Sequence, residues 1–177
     1  MKMHSRDLQK GGFTVEAVFG MTVLVIMMFF IADLTQMISA KTQASRVSYS
    51  LATATKERSR FFEGRHSLNQ ADFDVINEIA ADLLQRQAPE KRDGYGLMVE
   101  GYTDAGPNII PFSKNLDSGE ACEPQTSIAD LGHLRPERED GVTFPIYQVT
   151  VCLKMEGFSQ YFPGMRYVNS SSVLPGR

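Results

Sequence analysis

One stretch of the chain, Phe13 to Ala32, is apolar except for Thr14, Thr22 and a single carboxylate, Glu16. No charge interrupts Ala17 to Ala32, and Asp33 closes the run. Crossing lipid as a helix takes about 20 mostly apolar residues, with about 17 as the lower limit. The uncharged run alone falls just short of this. Counting Phe13–Val15 brings it to length and places Glu16 inside the segment, near one end. A carboxylate at the centre of a membrane helix costs about 2.5–3.5 kcal/mol on insertion scales, and less toward the ends. An ionisable group in that setting is a functional residue by default.

The residues around Glu16 form a pattern: Lys10-Gly11, then Gly12-Phe13-Thr14-Val15, then Glu16 and the apolar run. This resembles the type IV prepilins, whose short basic leader ends in glycine, followed by four residues, a glutamate and an apolar helix. The resemblance implies cleavage between Gly11 and Gly12, which makes Glu16 the fifth residue of the processed chain. Cleavage would expose an α-amine on Gly12, ordinarily of pKa about 7.7–8.0 and so mostly protonated at neutral pH. Opposite charges about 4 Å apart attract by about 4 kcal/mol at an effective dielectric near 20. Such a pairing offsets much of the cost of Glu16. In pilins the amine belongs to a neighbouring subunit, so the resemblance implies an assembly role for Glu16.

Two other readings of the same run stand beside this one. A secretory signal would use Lys2–Lys10 as its charged region and Ala17–Ala32 as its apolar core. Its nearest small-residue site, Ser39-Ala40, has the bulky Ile38 two residues before Ala40, and Asp33 intervenes. A plain signal anchor would treat Glu16 as interfacial. Prepilin-like processing alone accounts for the glycine, the glutamate and their spacing together.

Positive charges flanking a span stay in the cytoplasm. Lys2, Arg6 and Lys10 precede this one, opposed only by Asp7. The expected topology is therefore a single inner-membrane pass, with the N-terminus cytoplasmic and the remainder periplasmic. The formal net charge of −3, with 42% hydrophobic and 22% charged residues, describes a globular chain. No basic surface calls for nucleic acid.

The helix is expected to continue past the apolar run. Leu34, Met37, Ala40, Ala44, Val47, Leu51 and Ala54 recur at helical spacing, with Lys41, Gln43, Arg46 and Ser48 off that stripe. No Gly or Pro occurs between Met21 and Glu63, so the helix is predicted to run from about Phe13 to Phe62. Asn69 can cap a second helix carrying Phe73, Ile76, Ile79, Ala80, Leu83 and Leu84 on one face and ending before Pro89.

Beyond Lys91-Arg92-Asp93-Gly94 the pattern becomes strand-like: Leu97–Tyr102, Asn108–Phe112, Ile146–Met155 and Tyr167–Leu174. The fold class is thus α+β, with a long helix, a second helix and a small antiparallel sheet, and the prepilin resemblance implies that it is pilin-like. Its divisions are a cleaved leader at 1–11, a transmembrane and extended helix at 12–62, and an α+β domain at 63–177. In Ile146–Met155 the odd positions are all apolar, so Cys152 points away from the core face, toward solvent or a loop. A loop-borne Cys122 can reach it there, and two cysteines outside the cytoplasm favour one disulfide over two separate thiols.

The long segment from Ser113 to Asp140 reads as a solvated loop. A calcium site on Asp117, Glu120 and Glu123 is the sharper alternative, although their spacing matches no known ligand loop. His4, His66 and His133 share no metal-ligand spacing, and no nucleophile elbow, P-loop or dinucleotide fingerprint occurs. No enzyme activity and no cofactor are expected.

The region Lys10–Phe62 further resembles the TadF-like minor pseudopilins of the tight-adherence (Tad) pilus. The resemblance rests on Gly11-Gly12-Phe13-Thr14-Val15-Glu16-Ala17, on Arg46-Val47-Ser48-Tyr49-Ser50-Leu51, and on Lys56-Glu57-Arg58-Ser59-Arg60-Phe61-Phe62 before a glycine. Major pilins of that system are very short and have Tyr after the glutamate; here Ala17 follows in a long chain, as in a minor subunit. The resemblance implies processing by the prepilin peptidase. It also implies work with a TadE-like pseudopilin, the Flp major pilin and the Tad inner-membrane secretion platform in pilus assembly, adhesion and biofilm formation. A membrane-anchored periplasmic binding or sensory module and a minor pseudopilin of a type II secretion system are the rival functions.

Overall fold

The computed structural model describes residues 7–57, 67–104, 106–155, 157 and 166–176. Its longest element is one unbroken helix, α1, from Asp7 to Glu57. At about 1.5 Å rise per residue it reaches roughly 75 Å. The helix begins earlier than the apolar pattern suggested. Its backbone continues through Gly11 and Gly12, led in by the good helix formers Leu8, Gln9 and Lys10. The expected helix end at Phe62 lies outside the described residues.

From Ala40 onward α1 seats one face on the rest of the protein: Ala40, Ala44, Val47, Ser48, Leu51, Ala52 and Thr55 are buried. This face is rotated from the expected stripe. Ala54 is exposed, and so are Leu34 and Met37, which stand below the domain. Ser48, expected off the stripe, is fully buried because its hydroxyl meets Ser172 Oγ at 2.8 Å. A polar residue enters an apolar seam when its hydrogen bond is supplied from the other side.

The second helix, α2, spans Gln70–Gln87 and starts on Asn69 as the sequence predicts. The cap is reciprocal: Asp72 N–H donates to Asn69 Oδ1, and Asn69 N–H donates to Asp72 Oδ2, both at 2.9 Å. Pro89 stops the helix, after Ala88 N–H has closed on Leu84 C=O at 2.7 Å. Phe73, Ile76, Ala80 and Leu84 form its buried face, while Ile79 lies at the margin, 37% exposed.

Four strands follow: β1 Gly96–Thr103, β2 Gly106–Lys114, β3 Ile146–Lys154 and β4 Tyr167–Pro175. They form one antiparallel sheet in the order β2-β1-β3-β4. The protein is therefore α+β, as expected. Helix α1 lies across β3 and β4 with α2 beside it. The core between helices and sheet joins Val47 and Leu51 to Phe73, Leu84, Leu97, Val149, Val151 and Leu153. On the α2 side, Phe73 stacks on Phe112 with ring centroids 6.0 Å apart. Tyr95 O–H donates to the Asn77 side chain at 2.7 Å, and the Lys114 ammonium sits 3.7 Å over the Tyr95 ring. Burial there raises the Tyr95 pKa, opposed by Arg92, and lowers that of Lys114.

The opposite face of the sheet was expected to meet solvent or a loop, and the segment after β2 covers it. Ser113–Asp140 is thus not simply solvated: Leu116, Cys122 and Ile128 are buried, while Glu137 to Asp140 stay exposed. The cover is fastened at several points. Gln148 Nε2 donates to Thr126 C=O and Asn169 Nδ2 to Glu123 C=O, both at 2.9 Å. Farther along, Arg135 pairs with Asp104 and donates to Thr143 Oγ1 at 2.6 Å. Cys122 and Cys152 are joined by a disulfide, with Cα atoms 5.7 Å apart. Gly96 permits the approach, since a Cβ there would stand 2.7 Å from that of Cys122.

The bridge closes a loop of sequence separation 30. Replacing both cysteines (Cys122→Ala with Cys152→Ala) is expected to lower unfolding free energy by about 2–4 kcal/mol. Denaturant titration of the variant and of the reduced wild type should give similar losses.

Candidate functional site

The N-terminal half of α1 touches nothing else among the described residues. Every side chain from Thr14 to Ala32 is exposed, including Phe19, Met28, Phe29 and Phe30, each at least 65%. Contiguous apolar surface of this extent marks a membrane or protein contact. The helix is long and apolar enough to cross a membrane. Three of its hydroxyls are satisfied within the helix. Thr22, Thr35 and Thr42 donate to the carbonyls of Val18, Ile31 and Ile38 at 2.8–2.9 Å. A hydroxyl bonded this way carries no unmet donor into an apolar medium.

Two carboxylates bracket this surface, Glu16 near its start and Asp33 at its end. Glu16 is exposed, one helical turn beyond Gly12, and the backbone is helical through Gly11 and Gly12. The geometry of the expected amine pairing lies outside the described residues, because it belongs to a processed chain and a neighbour. The far end is built differently. Gly157, just past β3, lies against Asp33 and Gln36. Gly157 has φ +102°, and a Cβ on it would collide with the Asp33 carboxylate. The junction of domain and helix thus sits where the apolar run stops.

The chain matches, over residues 4–177, the family described as "Putative tight adherence pilin protein F" (TadF). The chain belongs to the TadF family. The match takes in the apolar helix and the α+β domain together, so an anchor-like helix with a domain on its outer half is the form of this family member. Membership in a pilin family places the chain among subunits that associate with other pilus components. No curated protein and no solved structure matches.

The remaining candidates of this TadF chain include the acids of the segment after β2. Glu120 accepts from Ser118 Oγ at 3.3 Å and lies 3.6 Å from Arg166. Among the described residues no group of three or more His, Cys, Asp or Glu is placed to hold a metal ion. Sequence reasoning missed a buried acid in the sheet, Glu100, at an irregularity of β1 between Val99 and Gly101. It stands directly opposite Gln148 on β3, and each has one buried oxygen with no donor among the described residues. A carboxylate inside a strand of Met, Val, Gly and Tyr was the available signal. Burial raises the Glu100 pKa.

Two outcomes follow for this region. Gly157→Val is expected to loosen the domain from α1 and lower the melting temperature, because it combines a positive φ with a clash at Asp33. Gly157→Ala should show the same defect more mildly. For Glu100, the folded pKa lies above the unfolded value of about 4.3. Between those two values the unfolded state releases the proton first, so stability falls as pH rises through that window and is level outside it. Comparing denaturation of wild type and Glu100→Gln across pH should show that slope vanish in the variant.

Proposed function

We propose that the chain is a minor pseudopilin-type subunit of Tad/Flp (type IVc) pilus biogenesis, cleaved by the prepilin peptidase between Gly11 and Gly12. The observation that carries this reading is the bare apolar half of α1 with Glu16 near its start. That surface needs lipid before assembly, and neighbouring pilin helices are as apolar as lipid afterwards. Only Glu16 distinguishes the two states. In lipid it is a cost; against the new amine of Gly12 in an adjacent subunit it becomes an attraction. The positive charges of Lys2, Arg6 and Lys10 support a cytoplasmic N-terminus in this reading, with the domain periplasmic and the anchor in the inner membrane.

In this reading the subunit works with a TadE-like pseudopilin, the Flp major pilin and the Tad secretion platform to start or cap the fibre. Adhesion and biofilm formation follow from the fibre. Family membership supports the tight-adherence system over a type II secretion system. The role is structural rather than catalytic.

Mass spectrometry of the chain extracted from its native membrane should give a mature N-terminus at Gly12. Glu16→Ala should insert and be cleaved normally yet reduce fibre number by at least about tenfold, a loss near 1.4 kcal/mol in assembly. Wild-type fibre counts from that variant would remove the role given to Glu16, and a chain still beginning at Met1 in cells making pili would remove the whole reading.

A further inference from the structure

The sheet ends in two unlike edges. β2, at one side, contains Pro107 and Pro111, which have no N–H to offer. Proline is a common guard against unwanted strand pairing. β4, at the other side, has no charged residue and no proline before its last position. Flanking bonds reveal which of its backbone groups face outward. Met155 N–H donates to Arg166 C=O at 2.8 Å, and Gly176 N–H donates to Pro145 C=O at 2.7 Å. With the continuous register between them, the even-numbered residues of β4 face β3. The N–H and C=O groups of Tyr167, Asn169, Ser171 and Val173 point the other way, and no backbone bond among the described residues reaches them.

Two clefts border this free edge. One, of about 270 Å³, runs from Thr126, Leu131, Asn169 and Val173 round to Lys41 and Ser170. The other, of about 440 Å³, lies where Ile38, Lys41, Ser45 and Arg46 of α1 face Ser170. An extended segment added to β4 would send alternate side chains into the two clefts. On the α1 side it would meet Lys41 and Arg46, both exposed and neither ion-paired among the described residues. That side calls for acidic residues.

Direction narrows the occupant further. Gly157, just past β3, lies against Asp33, whereas Ser172 of β4 bonds Ser48. β4 therefore runs away from the apolar half of α1, and an antiparallel addition runs toward it. A second copy anchored alongside would hold its own β4 in the same direction, able only to pair in parallel. The copy's oppositely directed edge is β2, already blunted by proline.

We propose that the open edge of β4 receives an extended, acidic segment of a different membrane-anchored subunit by antiparallel strand addition. The proposal rests on the pilus-subunit reading. Hydrogen exchange of the full-length chain tests it, in native membranes with and without the other pilus components. With them, the outward amides of Asn169, Ser171 and Val173 are expected to slow by at least about tenfold. Lys41→Glu combined with Arg46→Glu, both exposed, should abolish that protection. Val173→Pro removes one outward donor and no bond to β3, so it should cut fibre number where Val173→Ala does not. Equal exchange in both membranes, protection untouched by charge reversal, or normal fibres from Val173→Pro would overturn the proposal. Protection in the chain alone that grows with its concentration would identify a second copy as occupant and also overturn it. Cleavage at Gly11–Gly12 is read on the same samples, and its absence would sink the subunit reading while leaving the edge measurement interpretable.

Discussion

A single helix has to satisfy two surroundings at once, and the rest of the architecture follows from how it does so. Up to Ala32, α1 exposes Val, Leu, Ile, Met and Phe on every side. From Ala40 it exposes polar residues outward and lays a narrow face on β3 and β4. That face is built largely of small residues, Ala40, Ala44, Ser48 and Ala52, with Val47 and Leu51 filling the space between. Small side chains let helix and sheet approach closely, and the two larger ones supply most of the apolar burial. Neither Gly nor Pro interrupts the helix between Met21 and Glu57. The domain is consequently held on a stiff rod whose other half belongs to an apolar medium.

The sheet can carry that load because both of its faces are covered. One face receives the two helices. The other receives the long segment after β2, held by the disulfide and by side-chain bonds from Gln148 and Asn169 to its backbone. β3, the strand buried along nearly its whole length, lies inside this sandwich beneath α1. Protection of the sheet ends at its margin, where β2 and β4 differ in proline content and in their neighbours on α1.

Charge is used sparingly along the rod, and its placement is informative. Glu16 and Asp33 are the only ionisable residues between Gly12 and Ala40. The second is where the domain touches down through Gly157; the first stands alone on apolar surface. In the proposed reading, such an acid gains its purpose from the amine of a neighbouring subunit.

Local patterns in the sequence determined the elements themselves. The uncharged run set the apolar helix, Asn69 and Pro89 set the limits of α2, and the alternation of Ile146–Met155 set a strand with Cys152 on its outer side. These depend on neighbours within a few residues, and a one-dimensional string records them. Which helix face would be buried was decided by tertiary structure: Ser48, whose hydroxyl also bonds Ser45 C=O, meets Ser172, a residue 124 positions away, across the seam. The same holds for the segment covering the second sheet face, for the seat of Gly157 on Asp33, and for the enclosure of Glu100 opposite Gln148. Each is a meeting of distant residues whose energy exists only once the chain has closed on itself, and no local periodicity encodes it.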